Sequence, residues 1–159
     1  MRLDRWHAAR LYLGYAARVN SGGAEFLEDL GRLALFVDLP ADELETIAAR
    51  AEEVSFREGE WIIRQGDPQS AVYVIVDGEV AVVIDDEDRR VLSTGSFFGE
   101  VAVLLKEPAS ASIVTRTPVT CLVIQGDGIE DFLVSHPLVT YRILKAEARR
   151  LKTASEWRT

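Results

Sequence analysis

Gly95-Ser96-Phe97-Phe98-Gly99-Glu100-Val101-Ala102-Val103-Leu104-Leu105-Lys106-Glu107-Pro108-Ala109-Ser110-Ala111-Ser112 interrupts a series of short apolar strands. Within it the two-residue period of the flanking segments breaks, and Glu100 to Leu105 is helix-compatible and led by a glycine. A glycine at such a place lets backbone approach a ligand closely. The N–H groups of a helix's first turn point at one spot and favour an anion. Ser110 and Ser112 add hydroxyl donors, and Glu100 is an acceptor suited to a sugar hydroxyl. The stretch therefore reads as a phosphate cradle set between two strands.

Working outward, the strands are Val54-Ser55-Phe56, Trp61-Ile62-Ile63, Val72 to Val76, Glu79 to Ile84, Arg90-Val91-Leu92, Ser112 to Thr115 and Thr120 to Ile124. Turn signals separate them: Glu58-Gly59, Gly66-Asp67-Pro68, Asp77-Gly78 and the acidic run Asp85-Asp86-Glu87-Asp88. Asp77-Gly78 predicts a tight hairpin. Seven or eight strands at this spacing predict a closed β-roll or sandwich. Helices flank it. Leu3 to Val19 returns an apolar residue every three or four positions and stops at Asn20-Ser21-Gly22-Gly23, which reads as a hinge. Further helices are expected over Ala24 to Leu33, Asp42 to Ala51 and Gly128 to Ser135, with a long one from Pro137 to about Trp157. On the last, Tyr141, Leu144, Ala148 and Leu151 follow steps of three and four, as a packing seam does, either between two copies or against the chain's own roll. The organisation expected is a basic helix and hinge over 1–23, the mainly β domain over 24–152, and a helix end over 153–159.

The chain has 159 residues and a net charge of −8. Four arginines against Asp4 give residues 1–23 a net +3, which leaves −11 on the rest. An acidic body disfavours nucleic acid, which needs a basic footprint. The basic start suits an acidic partner, an anionic membrane surface or a solvated helix face. A lone cysteine, Cys121, forms no internal disulfide and fits a reducing compartment. No apolar run reaches the roughly 20 residues that span a bilayer, and the first residues lack a signal peptide's apolar core, so a soluble cytoplasmic protein is expected and a membrane partner is not.

At the interrupted stretch the sequence resembles the cyclic-nucleotide-binding domain of catabolite-activator-type regulators, protein-kinase-A regulatory subunits and cyclic-nucleotide-gated channels. That family's phosphate-binding cassette runs Phe-Gly-Glu, small or apolar residues, a spacer, Pro-Arg, then Ala/Ser-Ala-Ser/Thr. Here it is met by Phe98-Gly99-Glu100, Val101 to Leu104, Pro108 and Ser110-Ala111-Ser112. Similarity extends over Leu35 to Leu39 with Asp42-Glu43-Leu44, Ile62 to Asp67, Tyr73 to Gly78 and Thr117 to Ile124, so that it covers about Phe26 to Leu151. The resemblance implies a ligand, cAMP or cGMP, and a ligand-binding set of Phe98, Gly99, Glu100, Val101, Ala109, Ser110, Ala111 and Ser112. In it Glu100 takes the ribose 2′-hydroxyl, and Ser110 with the amides near Ala111 takes the cyclic phosphate. One position departs: Ala109 stands where the family carries its phosphate-binding arginine. Lys106 and Arg116 are the nearest cations in sequence, and both read as solvated.

The remaining residues suggest no chemistry. His7 and His136 have no companions at ligand spacing, so no metal is expected. Cys121 reads as a buried thiol, Asp85 to Asp88 as an exposed hairpin tip, and Trp157 as a packing residue. No catalytic constellation is present, and no enzyme activity or cofactor is expected. Two functions remain. One is a regulatory cyclic-nucleotide sensor. The alternative is a degenerate copy that serves as an interaction or oligomerisation module, with its protein partner or second copy engaged through the N-terminal and long C-terminal helices.

Overall fold

The computed structural model describes residues 24–156; the expected helix before Gly22-Gly23 and Trp157 lie outside them. Two helices come first, α1 (Ala24–Arg32) and α2 (Ala41–Ala49). Eight strands follow: β1 (Glu52–Phe56), β2 (Trp61–Ile63), β3 (Ala71–Asp77), β4 (Glu79–Ile84), β5 (Glu87–Ser93), β6 (Phe97–Phe98), β7 (Ser112–Thr115) and β8 (Val119–Gln125). Helix α3 (Glu100–Leu105) lies between β6 and β7, and α4 (Ile129–Ser135) and α5 (Pro137–Glu156) close the described chain. The strands form two four-stranded sheets, β1-β8-β3-β6 and β2-β7-β4-β5, with every pairing antiparallel. The expected β-roll with flanking helices is therefore present.

The two-residue period of the first sheet explains its place at the centre. Tyr73 and Ile75 of β3, Cys121 and Val123 of β8, and Phe98 of β6 face the second sheet, where Val80, Val82, Leu92 and Ile113 meet them. The alternate residues Val74, Leu122, Ile124 and Phe97 face the helices and pack with Phe26, Leu30, Phe36, Ile47, Phe132 and Val139. Cys121 is fully buried, and burial pushes its thiol pKa up. Polar bonds tie the helices together. His136, between α4 and α5, places its Nδ1 3.0 Å from Oε1 of Glu43 on α2. Arg142 of α5 donates to the carbonyls of Leu35 and Val37 at 3.0 and 2.6 Å.

Two expectations are corrected. Asp77-Gly78 is not a hairpin: β3 and β4 lie in different sheets, and Gly78, at φ 108°, is the corner where the chain changes layer. Its dipeptide carries the same left-handed demand in a corner as in a hairpin turn. The tight hairpin is β4–β5, which turns at Asp85 and Asp86 with φ of 52° and 63°. Glu87 and Asp88 belong to the β5 ladder rather than the turn, although the tip is exposed as expected. The seam on α5 is also resolved. Tyr141, Leu144 and Leu151 are 61%, 65% and 70% exposed, so they do not pack on the roll. The face that does carries Val139, Ile143 and Ala146.

Leu122 lies fully buried in the middle of β8, under the helices. Leu122→Ala is expected to lower unfolding free energy by about 2–5 kcal/mol through lost burial and the cavity left behind. Urea denaturation followed by circular dichroism measures it.

Candidate functional site

The left-handed conformation of Gly99, φ 87°, ends β6 and starts α3 in one step. A Cβ there would stand 2.7 Å from the Ala71 carbonyl oxygen, so the loop is pressed against β3 as only glycine allows. At its far end the loop is pinned by two backbone bonds, Gly66 N–H to the Ala109 carbonyl at 2.8 Å and Ala109 N–H to the Asp67 carbonyl at 2.9 Å. Ala109 is thereby held buried. Between the two anchors lies a cavity bounded by α3, the loop, β5 and α5.

Seven of the eight expected ligand-binding residues line it: Phe98, Gly99, Glu100, Val101, Ala109, Ser110 and Ala111. Ser112 does not. Its Oγ accepts the Gln65 N–H at 2.8 Å and is spent on holding β7 to the turn after β2. Lys106 is an exposed residue at the end of α3 and is not part of the lining. Arg116 pairs with Asp88 at the surface.

Two cations that the cassette pattern does not include also line the cavity. Arg150 of α5 reaches Oε1 of Glu100 at 2.9 Å, Oε1 of Glu147 at 3.0 Å and the Phe97 carbonyl at 2.7 Å, and stacks 4.3 Å above the Phe97 ring. Arg90 of β5, an exposed residue, also lines it. Its pKa is lowered, first by burial and then by the like charge of Arg150, with Glu100 and Glu147 acting the other way. Both had sequence signals. Arg150 continues the inward spacing of Val139, Ile143 and Ala146, and Arg90 precedes the inward Leu92 by two.

Glu100 is 7% exposed. Burial, then its hydrogen bond and charge contact with Glu147, outweigh Arg150 and raise its pKa from 4.5 to about 7. Among the described residues no cluster of His, Cys, Asp and Glu is arranged to hold a metal ion.

The family profile described as cyclic nucleotide-binding domain matches residues 53–136. The chain is 38% identical over 94 residues to a cGMP-dependent protein kinase of Plasmodium berghei, an alignment covering 59% of this chain and 11% of the kinase. Its fold is similar to that of a cyclic nucleotide-binding domain from Methylobacillus flagellatus, with a TM-score of 0.72, 21% identity, and coverage of 83% of this chain and 82% of that one. It is also similar to a structure described as Sp-2Cl-cAMPS bound to PKAR CBD2, with a TM-score of 0.69, 19% identity, and coverage of 82% and 90%. The chain thus spans about a tenth of the kinase it matches.

The raised Glu100 pKa sets the sign of a pH effect. Between about 4.5 and about 7 the folded chain keeps a proton on Glu100 that the unfolded chain has released, so stability falls as pH rises through that window and levels above it. Glu100→Gln, compared with the parent chain in thermal melts from pH 4.5 to 8, is expected to remove up to about 3 kcal/mol of that slope.

Proposed function

Because the chain belongs to the cyclic nucleotide-binding domain family, we propose that it is a regulatory module that binds a 3′,5′-cyclic nucleotide in the cavity between α3, β5 and α5. The observation that carries this reading is Glu100, buried at the cavity wall and held by an arginine from the last helix. A ribose 2′-hydroxyl donating to Glu100 favours its ionised form and competes with Arg150 for the same oxygens. Occupancy of the cavity then acts on α5 through the contacts of Arg150 and Glu147 with the loop carboxylate, and α5 passes the change to a partner. The bound state of the Sp-2Cl-cAMPS structure and the cyclic nucleotide in the kinase's name support cAMP or cGMP as the ligand. The role is sensing rather than catalysis. Among the described residues, no helix is long and apolar enough to cross a membrane, and the reading places the module in the cytoplasm.

Isothermal titration calorimetry with cAMP and cGMP on the whole chain is expected to give saturable binding at one site. Glu100→Ala is expected to weaken it roughly tenfold or more, the loss of one charge-assisted hydrogen bond. Absence of heat at millimolar nucleotide would sink the proposal.

A second reading, an interaction module that has lost its ligand, is favoured by Ala109 and by the stripe Leu138, Tyr141, Leu144 and Leu151, which is 41–70% exposed. A protein partner or second copy on this stripe predicts that Leu144→Glu changes the mass in analytical ultracentrifugation while leaving nucleotide affinity within about twofold. An unchanged mass for both proteins, with binding intact, favours the sensor alone.

A further inference from the structure

The site described above accounts for a ligand's sugar and leaves its charge without an assigned partner. Ala109 offers no cation, and Arg150 is engaged by two carboxylates and a carbonyl. The sheet register brings another arginine to the same place. Arg90 of β5 stands opposite Val82 of β4, and Val82 stands opposite Ile113 of β7. Residues directly opposite one another in a sheet project to one face. Val82 and Ile113 face the interior, and all three line the cavity. Arg89, the next residue, stands at the register shift between Val82 and Val83, does not line the cavity, and pairs with Glu87.

Among the described residues Arg90 forms no ion pair within 4.0 Å and no side-chain hydrogen bond. Arg64 stacks on Trp61 and Arg116 pairs with Asp88, so neither is available to this cavity. Ala109, Ser110 and Ala111 line the same cavity as Arg90, and their small side chains leave room in it for a bulky anion. Arg90 and Arg150 line one cavity and repel one another, so an anion in it offsets that repulsion. A guanidinium's planar fork matches two phosphate oxygens at once.

We infer that Arg90 of β5, in place of a loop arginine, supplies the cation that takes the ligand's phosphodiester. This rests on the cyclic-nucleotide reading above. The phosphate is then gripped from the sheet side, with Ser110 and the loop amides on its other side.

The test is calorimetry on the whole chain with cAMP and cGMP, for the parent, Arg90→Met, Arg90→Lys, Arg89→Met and the double variant Arg90→Met, Ala109→Arg, each first checked by thermal melt. Arg90→Met is expected to lose about 10- to 150-fold in affinity, the scale of one charge-assisted contact. Arg90→Lys is expected to lose less, because it keeps the charge and loses the fork. Arg89→Met is expected to bind as the parent does, and the double variant to regain at least about tenfold over Arg90→Met, since it restores a guanidinium from the loop side. Parent-like affinity in Arg90→Met, an equal loss in Arg89→Met, or no recovery in the double variant would overturn the assignment of Arg90 while the cyclic-nucleotide reading stands. A parent chain that binds neither nucleotide overturns both.

Discussion

The guanidinium of Arg150 joins the end of the fold to its middle. One group meets two carboxylates, a backbone carbonyl and the face of an aromatic ring, all while 18% exposed. Removing one partner of a buried ion pair costs about 3–5 kcal/mol, because the other charge is left uncompensated. The register of α5 over the sheet is therefore tied to the state of Glu100. Glu100 sits at the first position of α3, next to the glycine that anchors the loop. Two α5 side chains, Arg150 and Glu147, meet that carboxylate directly, with no long chain of intermediates.

This coupling depends on a sheet that is buried on both faces. β3 and β8 contribute one set of side chains to the space between the sheets and the alternate set to the helices. The helices cannot leave without exposing Leu122, Ile124 and Val74. The cavity, by contrast, opens where β6 is two residues long and the first sheet runs out. Phe97 and Phe98, adjacent in sequence, pack on opposite sides of β6, Phe98 between the sheets and Phe97 with the helices, and both reach the cavity wall.

Much of this was legible in the residues. The strand pattern around the loop gives the roll, and Phe98-Gly99-Glu100 with Ser110-Ala111 gives one wall of the cavity. Three features were less accessible. Asp77-Gly78 satisfies a hairpin and a corner equally, because both need a glycine at positive φ; which occurs depends on strands distant in sequence. Ser112 has the hydroxyl a ligand site wants, yet the backbone of Gln65 claims it. Arg90 and Arg150 face the cavity from positions 60 apart in sequence that share no motif, and only the pairing of β5 with β4 and the packing of α5 bring them together. Period-two and helical spacing marked both as inward-facing; an arginine in such a place asks for a counter-charge, and that demand was the available signal.

The left-handed turn at Gly99 has a mechanical consequence. With the Ala71 carbonyl oxygen 2.7 Å from where a Cβ would stand, the cavity floor and the central strand β3 have no slack between them. The other end of the loop is stitched to the turn after β2 by paired backbone bonds. Floor, loop and sheet therefore behave as one stiff chassis. On the reading proposed above, a load applied inside the cavity meets a floor and loop fixed to the sheet, and the helix whose Arg150 reaches over the rim is the element left to act as a lever.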